Sequence, residues 1–157
     1  MEKVQENNKN VISTDIIFLD NDLDNQNEVI QFIVKNAKNH GYVTNEKDLY
    51  DAVKKREQEV PTAIGYSIAI PHGKTDAVEY PFIAFLRTSS EIKWTDQNEE
   101  MVRLVFLIGV PQESENKLHL KFISQLSKKL LDEEFREKLL TQNDKNKVFE
   151  QLNSIEI

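Results

Sequence analysis

The chain has 157 residues, of which 39% are apolar and 30% charged, and it contains no cysteine. This length and composition indicate one globular domain and exclude a disordered polymer, disulfides, thiol catalysis and Cys-ligated zinc. The formal net charge of −7 argues against a general nucleic-acid binder, because such proteins neutralise phosphates with clustered Lys and Arg. No apolar run approaches the roughly 20 residues of a membrane helix, and residues 1–10 lack the apolar centre of a signal peptide. We therefore expect a cytoplasmic protein.

The N-terminal part of the chain is predicted to contain one strand and two helices. Its elements are a polar arm over 1–12, a short strand over 15–19, and helices over 27–39 and 44–59. Gly41 is expected to end the first helix, since glycine readily adopts the left-handed conformation found at helix ends. Thr44 or Asn45 is expected to cap the second helix.

The C-terminal part alternates strands with helices. The predicted strands are 67–70, 81–88, 92–94 and 101–110, and the predicted helices are 115–131, capped by Ser114, then 133–140 and 147–152. The strand over 101–110 is almost entirely apolar, as expected when both faces of a sheet are covered. We therefore predict an α/β single domain over 13–157, with a central sheet flanked by helices. Strand order and strand direction do not follow from these signals.

A histidine stands at the end of the strand over 67–70, in the sequence SIAIPHGK. Pro71 lacks an N–H group and should stop the strand ladder, while Gly73 allows backbone or a partner to approach His72 closely. An imidazole has an ordinary pKa of about 6.5, so much of it is neutral and nucleophilic near pH 7. His72 is therefore a candidate nucleophile or ligand, although an ordinary polar turn residue has the same local pattern.

Two more residues lie on helix faces that are predicted to point inward. His119 precedes Ile123 and Leu126 by four and seven residues, so it lies at the edge of an apolar stripe. Arg56 follows Ala52 by four residues and shares the inward stripe of its own helix. A guanidinium near a histidine at the sheet edge would bind phosphate oxygens well.

Simpler explanations exist for each of these side chains. His119 is also compatible with a boundary histidine that bonds to a backbone carbonyl, and Arg56 with a residue that stabilises the helix end or pairs with Glu57 or Glu59. His40, beside Gly41, is expected to be a cation at a helix C-terminus. A metal site built from His72 and His119 would lack a clear third ligand.

The stretch from Glu57 to Gly73, EQEVPTAIGYSIAIPHG, resembles a known phosphorylation-site signature. That signature belongs to the enzyme IIA domains of the mannitol/fructose type (type 2) of the phosphoenolpyruvate-dependent sugar phosphotransferase system. The matching pattern is an acidic residue, six variable positions, Ile64-Gly65, two variable positions, and the run from Ile68 to Gly73. In outline the similarity extends over 15–152.

The resemblance implies a fold, a reaction and partners. The fold would be the mannitol-type IIA fold, a mixed sheet flanked by helices. His72 would be the phosphorylated nucleophile, His119 a supporting histidine and Arg56 a group that stabilises phosphate charge, with no cofactor or metal. Phosphorylated HPr would donate the phosphoryl group. A IIB domain of a sugar permease of the fructose, mannitol or galactitol class would accept it, so membrane contact would be indirect.

A second function remains open within the same family. Related nitrogen-type IIA proteins are regulators, in which the phosphohistidine state controls partner proteins and no sugar is delivered. The sequence does not distinguish transport from regulation. It also does not identify the sugar, the oligomeric state or the imidazole nitrogen that carries phosphate.

Overall fold

The computed structural model describes residues 10–113 and 117–155. In these ranges a 3-10 turn, Thr14–Ile16, precedes six strands and five α-helices. The strands are Ile17–Asn21 (β1), Ala63–Gly65 (β2), Ile68–Ala69 (β3), His72–Thr75 (β4), Phe82–Lys93 (β5) and Met101–Pro111 (β6). The helices are Gln26–Asn39 (α1), Glu46–Glu59 (α2), Leu118–Lys129 (α3), Glu133–Thr141 (α4) and Lys145–Asn153 (α5).

The six strands form one mixed sheet with the order β1-β5-β6-β3-β2, and β4 also pairs with β6. The antiparallel pair β5 and β6 lies at the centre, with β1 parallel to β5, and with β3 and β4 both parallel to β6. The shortest strand, β3, pairs with β6 through Ile68 and Ala69. The predicted α/β architecture with a central mixed sheet is confirmed.

Two apolar layers cover the two faces of the sheet. On one face, Leu86 and Leu107 join a buried cluster with α1 and α2. On the other, Phe85 and Phe106 join a cluster with α3, α4 and α5. Successive strand residues point to opposite faces, so an almost continuous apolar strand is needed where both faces are buried. The composition of β6 follows directly from this arrangement.

Two strand predictions need correction, and a third strand was missed. The strand over 15–19 instead starts at Ile17, because the Ser13 side chain accepts a hydrogen bond from the Asp15 amide and winds a 3-10 turn first. The segments 81–88 and 92–94 are one strand, β5, which pairs with β6 on both sides of an irregularity between Arg87 and Ile92. Strand β2 was not predicted, since three residues give no periodic signal.

The chain around Pro71 also differs from the prediction. Strand β3 ends at Ala69, but pairing with β6 resumes at His72 as β4, so Pro71 interrupts the edge without ending it. The Pro71 carbonyl accepts a hydrogen bond from the Ile108 amide at 3.0 Å. Because proline lacks only the donor, its acceptor can still join the sheet.

Helix ends follow the expected chemistry. Gly41 has a φ of 86° just beyond α1, and the Asn45 side chain caps α2 by accepting from the Asp48 amide. Thr44 instead donates to the Ala77 carbonyl. Caps at Asp132 and Asp144 start α4 and α5, and the latter helix begins two residues earlier than predicted. The predicted cap Ser114 and residues 115 and 116 lie outside the described residues.

The start of the described chain is attached to the fold. The Tyr42 hydroxyl donates to the Asn10 carbonyl at 2.8 Å, and Ile12 is buried in the core. Residues 1–9 of the predicted arm lie outside the described residues. Among the helices that the structure describes, none is long and apolar enough to cross a membrane.

Candidate active site

His72 is the first residue of β4, and its half-buried ring is oriented by the backbone just before it. Its Nδ1 lies 3.0 Å from the Ile70 carbonyl oxygen. A carbonyl only accepts hydrogen bonds, so this contact assigns the proton of the neutral ring to Nδ1. The lone pair on Nε2 is then available for nucleophilic attack.

Gly73 permits the close packing that brings α2 to this site. A Cβ atom at Gly73 would lie 2.9 Å from Val53 Cγ2 and 3.1 Å from the Val53 amide nitrogen. Of the two expectations for this glycine, close approach of backbone is therefore the one that the structure shows. The approach places the C-terminal half of α2, which carries Arg56 and Glu57, beside β4.

His119 lies in the first turn of α3, and its ring stacks on that of His72. The ring centroids are 5.2 Å apart and the ring planes meet at 27°. His119 Nδ1 is buried and has no hydrogen-bond partner among the residues that the structure describes. Within the described residues, no backbone carbonyl accepts a hydrogen bond from His119 Nδ1, so the alternative of a boundary histidine has no support there. An orphaned buried nitrogen of this kind is rare and needs a partner.

Both rings are held in the neutral form. Burial is the main cause that lowers the pKa of His72. The hydrogen bond to the Ile70 backbone opposes this shift, the Arg56 charge adds to it, and Glu57 has the smallest, opposing effect. Burial also lowers the pKa of His119, helped by repulsion between the two rings when both are protonated and by the charges of Lys74, Arg56 and Lys117. A neutral imidazole keeps the lone pair that a nucleophile needs.

Arg56 is half-exposed on α2, and its guanidinium donates to the Val60 carbonyl at 2.9 Å. It therefore stabilises the end of its own helix, one of the alternatives considered from sequence. Its charge nevertheless reaches both histidines, since it lowers the pKa of each. The described ion pairs do not include a bond from Arg56 to Glu57 or Glu59. His40, in contrast, bonds through Nδ1 to the Asn36 carbonyl at the end of α1, as expected for a helix end.

Sequence reasoning missed two exposed lysines at the site. Lys74 and Lys117 act electrostatically on His119. Lys74 lies two residues after His72 on the same strand, so both side chains leave the same face of β4. An alternating strand pattern over residues 72–75 would have placed Lys74 on the same face as His72, but the segment was expected to be a turn. Lys117 directly precedes α3 and had no comparable signal.

Sequence reasoning also gave no role to Glu57, although it begins the quoted signature. Glu57 is only 4% exposed. Its carboxylate accepts hydrogen bonds from the Thr62 amide at 2.7 Å, the Thr62 hydroxyl at 2.8 Å and Trp94 Nε1 at 2.8 Å. A buried carboxylate with three donors is well satisfied and rigidly held.

The arrangement suits chemistry on an anionic group. A half-buried neutral imidazole lies beside a second imidazole and near three cations, Arg56, Lys74 and Lys117. Within the described ranges, no group of three His, Cys, Asp or Glu side chains could hold a metal ion. The cations around the two imidazoles are suited to stabilise the charge of a phosphoryl group at His72.

Comparison with known proteins identifies the family of this chain. The family model for the phosphoenolpyruvate-dependent sugar phosphotransferase system, EIIA 2, matches residues 10–155. The chain belongs to this family.

Its curated relatives differ in length. The fructose-specific EIIA component of Haloferax volcanii is 38% identical over 119 residues, which are 76% of this chain and 77% of that protein. Multiphosphoryl transfer protein 1 of Escherichia coli is 30% identical over 140 residues, or 89% of this chain, but this chain spans only 17% of its length. The matched part of this chain thus corresponds to most of the first relative and to one segment of the second.

Two solved structures have the same fold. The nitrogen regulatory protein IIA-Ntr of Neisseria meningitidis is 25% identical, with a TM-score of 0.81 over 90% of this chain and 96% of that one. Enzyme IIA mannitol of Escherichia coli, solved in complex with phosphorylated enzyme IIB mannitol, is 27% identical. Its TM-score is 0.76, with 90% of this chain and 96% of that chain covered. The mannitol-type IIA fold is confirmed.

Proposed function

We propose that this protein is a phosphocarrier that accepts a phosphoryl group on His72 and passes it to a second protein. The observation that carries this proposal is the hydrogen bond from His72 Nδ1 to the Ile70 carbonyl. It leaves Nε2 as the nucleophile, beside a second imidazole and near three cations. We therefore assign the phosphate to Nε2, which the sequence could not decide.

The reaction requires little covalent work from the protein. The Nε2 lone pair forms a bond to phosphorus while the nitrogen–phosphorus bond of the donor phosphohistidine breaks, and its electron pair returns to the donor imidazole. The proton of His72 stays on Nδ1, hydrogen-bonded to the Ile70 carbonyl, so the phosphorylated ring carries a positive charge. Transfer to the acceptor repeats the step in the other direction. Catalysis then consists of in-line positioning and charge stabilisation.

The neighbouring groups supply that stabilisation. His119 Nδ1 is buried without a described partner, and in the neutral tautomer that carries its proton on Nδ1 it would donate to a phosphoryl oxygen. Arg56 would exchange its bond to the Val60 carbonyl for a bond to phosphate, since a guanidinium binds a phosphate more strongly than a neutral carbonyl. The His119 ring is in place before transfer and costs little reorganisation during it, while Arg56 has to exchange one hydrogen bond.

For the partners, we propose phosphorylated HPr as donor and a IIB domain of a sugar permease as acceptor. The mannitol relative with this fold was solved with phosphorylated enzyme IIB, which supports a IIB acceptor. The Haloferax volcanii relative is named fructose-specific, which favours a fructose-type permease. In this proposal no cofactor takes part, and the protein contacts the membrane only through the permease. It would act in the cytoplasm, and residues 13–157 would form its single phosphotransfer domain.

A regulatory role is the second candidate. The observation that favours it is the likeness to a nitrogen regulatory protein, with a TM-score of 0.81 over 90% of this chain. The phosphorylated and free forms of His72 would then be two signalling states. The chemistry at His72 is the same in both cases, and only the recipient differs.

The test is phosphorylation with labelled phospho-HPr. The wild-type protein should gain acid-labile phosphate, and His72→Gln should gain none, while His40→Gln should match the wild type. Uptake by His72→Gln at the wild-type rate would overturn the proposal. Co-purification from cells then separates the roles: a IIB partner supports transport, and a kinase, channel or regulator supports signalling.

A further inference from the structure

Glu57 is buried one residue after Arg56 on α2, and the proposed phosphotransfer chemistry gives it no part. We propose that Glu57 is a positioning residue for His72, which fixes the backbone that orients the His72 ring and places a negative charge behind it. This inference rests on the proposed function, because positioning matters only if His72 reacts.

The first step is the attachment of Glu57 to the segment before His72. The Thr62 amide and hydroxyl both donate to the Glu57 carboxylate, at 2.7 and 2.8 Å. On its other side, Trp94 Nε1 donates at 2.8 Å from the end of β5. Trp94 is 1% exposed, so water does not compete with these bonds. The carboxylate thus fixes Thr62 relative to both α2 and the sheet.

The second step leads from Thr62 to the His72 ring. The Thr62 carbonyl accepts a hydrogen bond from the Ile70 amide at 3.1 Å. The Ile70 carbonyl in turn accepts from His72 Nδ1 at 3.0 Å. Glu57 therefore holds one residue, Ile70, through Thr62, and that residue orients the reactive imidazole. A group that fixes a ligand of the nucleophile acts as supporting groups do around metal-binding histidines.

Glu57 also acts on the His72 ring through its charge. The described charges near the two rings are Arg56 on α2, Lys74 on β4 and Lys117 before α3, all positive, and Glu57, which is negative. The Glu57 charge raises the pKa of His72, against burial and Arg56. When Nε2 bonds to phosphorus and Nδ1 keeps its proton, the ring becomes a cation. A fixed carboxylate behind the ring stabilises that charge without reorganisation.

The substitution Glu57→Gln tests both effects, because it keeps the shape and removes the charge. The glutamine side chain also has an NH2 group in place of one carboxylate oxygen. This donor would face the donor groups of Thr62 or Trp94 and could not bond to them. The matched control is Glu59→Gln, an exposed carboxylate two residues along the same helix. NMR titration of the 15N-labelled imidazoles should show a lower pKa for His72 in Glu57→Gln than in Glu59→Gln. A smaller fraction of the ring should carry its proton on Nδ1.

The rate of phosphorylation by labelled phospho-HPr is the second measurement. We expect a loss of about tenfold or more in Glu57→Gln, since small misplacement of a reacting group is costly, and none in Glu59→Gln. Equal His72 titrations in the two variants, or a shifted titration with an unchanged rate, would overturn the positioning role. If the wild type itself takes up no phosphate, the proposed phosphotransfer fails, while the titration still decides whether Glu57 orients His72.

A milder substitution covers the case in which Glu57→Gln does not fold. Thr62→Val removes the hydroxyl donor and keeps the backbone bonds and the Glu57 charge. We expect faster hydrogen exchange of the Ile70 amide and a smaller fall in the phosphorylation rate. Unchanged exchange at Ile70 together with an unchanged rate would overturn the link from Glu57 to His72 through Thr62.

Discussion

The imidazole rings of His72 and His119 stack with their centroids 5.2 Å apart, although they come from a sheet edge and a helix that are distant in sequence. The contact depends on α3 packing its buried residues Leu118, Phe122 and Leu126 against the sheet. Because the helix begins beside β4, its first turn presents His119 to His72. The stacking therefore follows from the same burial that builds the core.

Substitution of His119 should separate holding phosphate from passing it on. In His119→Ala, Nε2 of His72 remains available, so some acceptance should persist. Onward transfer should fall by about 10²-fold, as when one preorganised donor to a developing anion is removed. Quenched-flow transfer to a phosphorylatable IIB domain measures both steps.

His119→Gln is the matched control for that experiment, because an amide donates a hydrogen bond without titrating. It should recover part of the lost transfer rate. Transfer at the wild-type rate in His119→Ala would remove His119 from the mechanism.

The pH dependence of phosphate uptake should report the neutral form of His72. Burial lowers the pKa of both histidines below the ordinary value of about 6.5. The rate should therefore stay constant as the pH falls to about 6.5 and decline only below it. An inflection at or above 6.5 would contradict this, and His40→Gln should leave the profile unchanged.

The same shifts link pH to stability. The folded protein binds fewer protons at these rings than the unfolded chain does, so stability is greatest above pH 6.5. It should fall as the pH drops from the unfolded pKa towards the lowered folded values. Urea titrations between pH 7.5 and 5 measure this, and His72→Gln should weaken the dependence.

The sequence was sufficient for those parts of the fold and site that rest on repeated local signals. Helix periods and the long apolar strand predicted the layers, and the spacing from His119 to Leu126 placed His119 on the inward side of its helix. The signature up to Gly73 supplied the family. Each of these signals rests on several residues, so no single tertiary contact changed the element or the family that it predicts.

The rest depended on contacts between distant segments. Pro71 indicated a turn, but its carbonyl bonds to Ile108 on β6, and no local signal shows that partner. Because this segment was predicted to be a turn and not a strand, Lys74 was not recognised as lying on the same face as His72. The role of Glu57 depends on Trp94, 37 positions along the chain. Partners at that separation become visible only once the sheet has formed.

Gly73→Ala should destabilise the protein and slow phosphate uptake together. The new Cβ would lie 2.9 Å from Val53 Cγ2 and 3.1 Å from the Val53 nitrogen, and the backbone nitrogen cannot easily move. We expect a loss of about 1–3 kcal/mol in the free energy of unfolding, typical of overpacking. Displacement of α2 would also move Arg56 away from His72.

A double-mutant cycle with Val53→Ala tests this cause. Removing Cγ2 relieves one of the two contacts, so the two substitutions should couple favourably by about 0.5 kcal/mol or more. Urea denaturation of the four proteins gives the coupling energy. If the free-energy changes of Gly73→Ala and Val53→Ala simply add, the contact with Val53 is not the reason why position 73 requires glycine.

Removal of the buried Arg87 side chain should be costly for stability, although Arg87 lies outside the active site. It is 1% exposed and donates to the Asp20 carboxylate and to the carbonyls of Leu139 and Gln142. Arg87→Met leaves buried acceptors without donors, so we expect a loss of about 2–4 kcal/mol in the free energy of unfolding. Arg103→Met removes a partly exposed guanidinium that also contacts Asp20, and it should cost about 1 kcal/mol or less.

The loss of stability caused by Arg87→Met should become smaller as the pH falls. The hydrogen bond from Arg87 is the main cause that lowers the pKa of Asp20 below its ordinary value of 3.8. The ion-pair contribution is therefore present above pH 3.8 and is lost as the pH falls through the lowered folded pKa. Denaturation of wild type and Arg87→Met from pH 7 to 3 should show their difference shrinking at the acid end. A constant difference would mean that the carbonyl contacts alone account for the stabilising effect of Arg87.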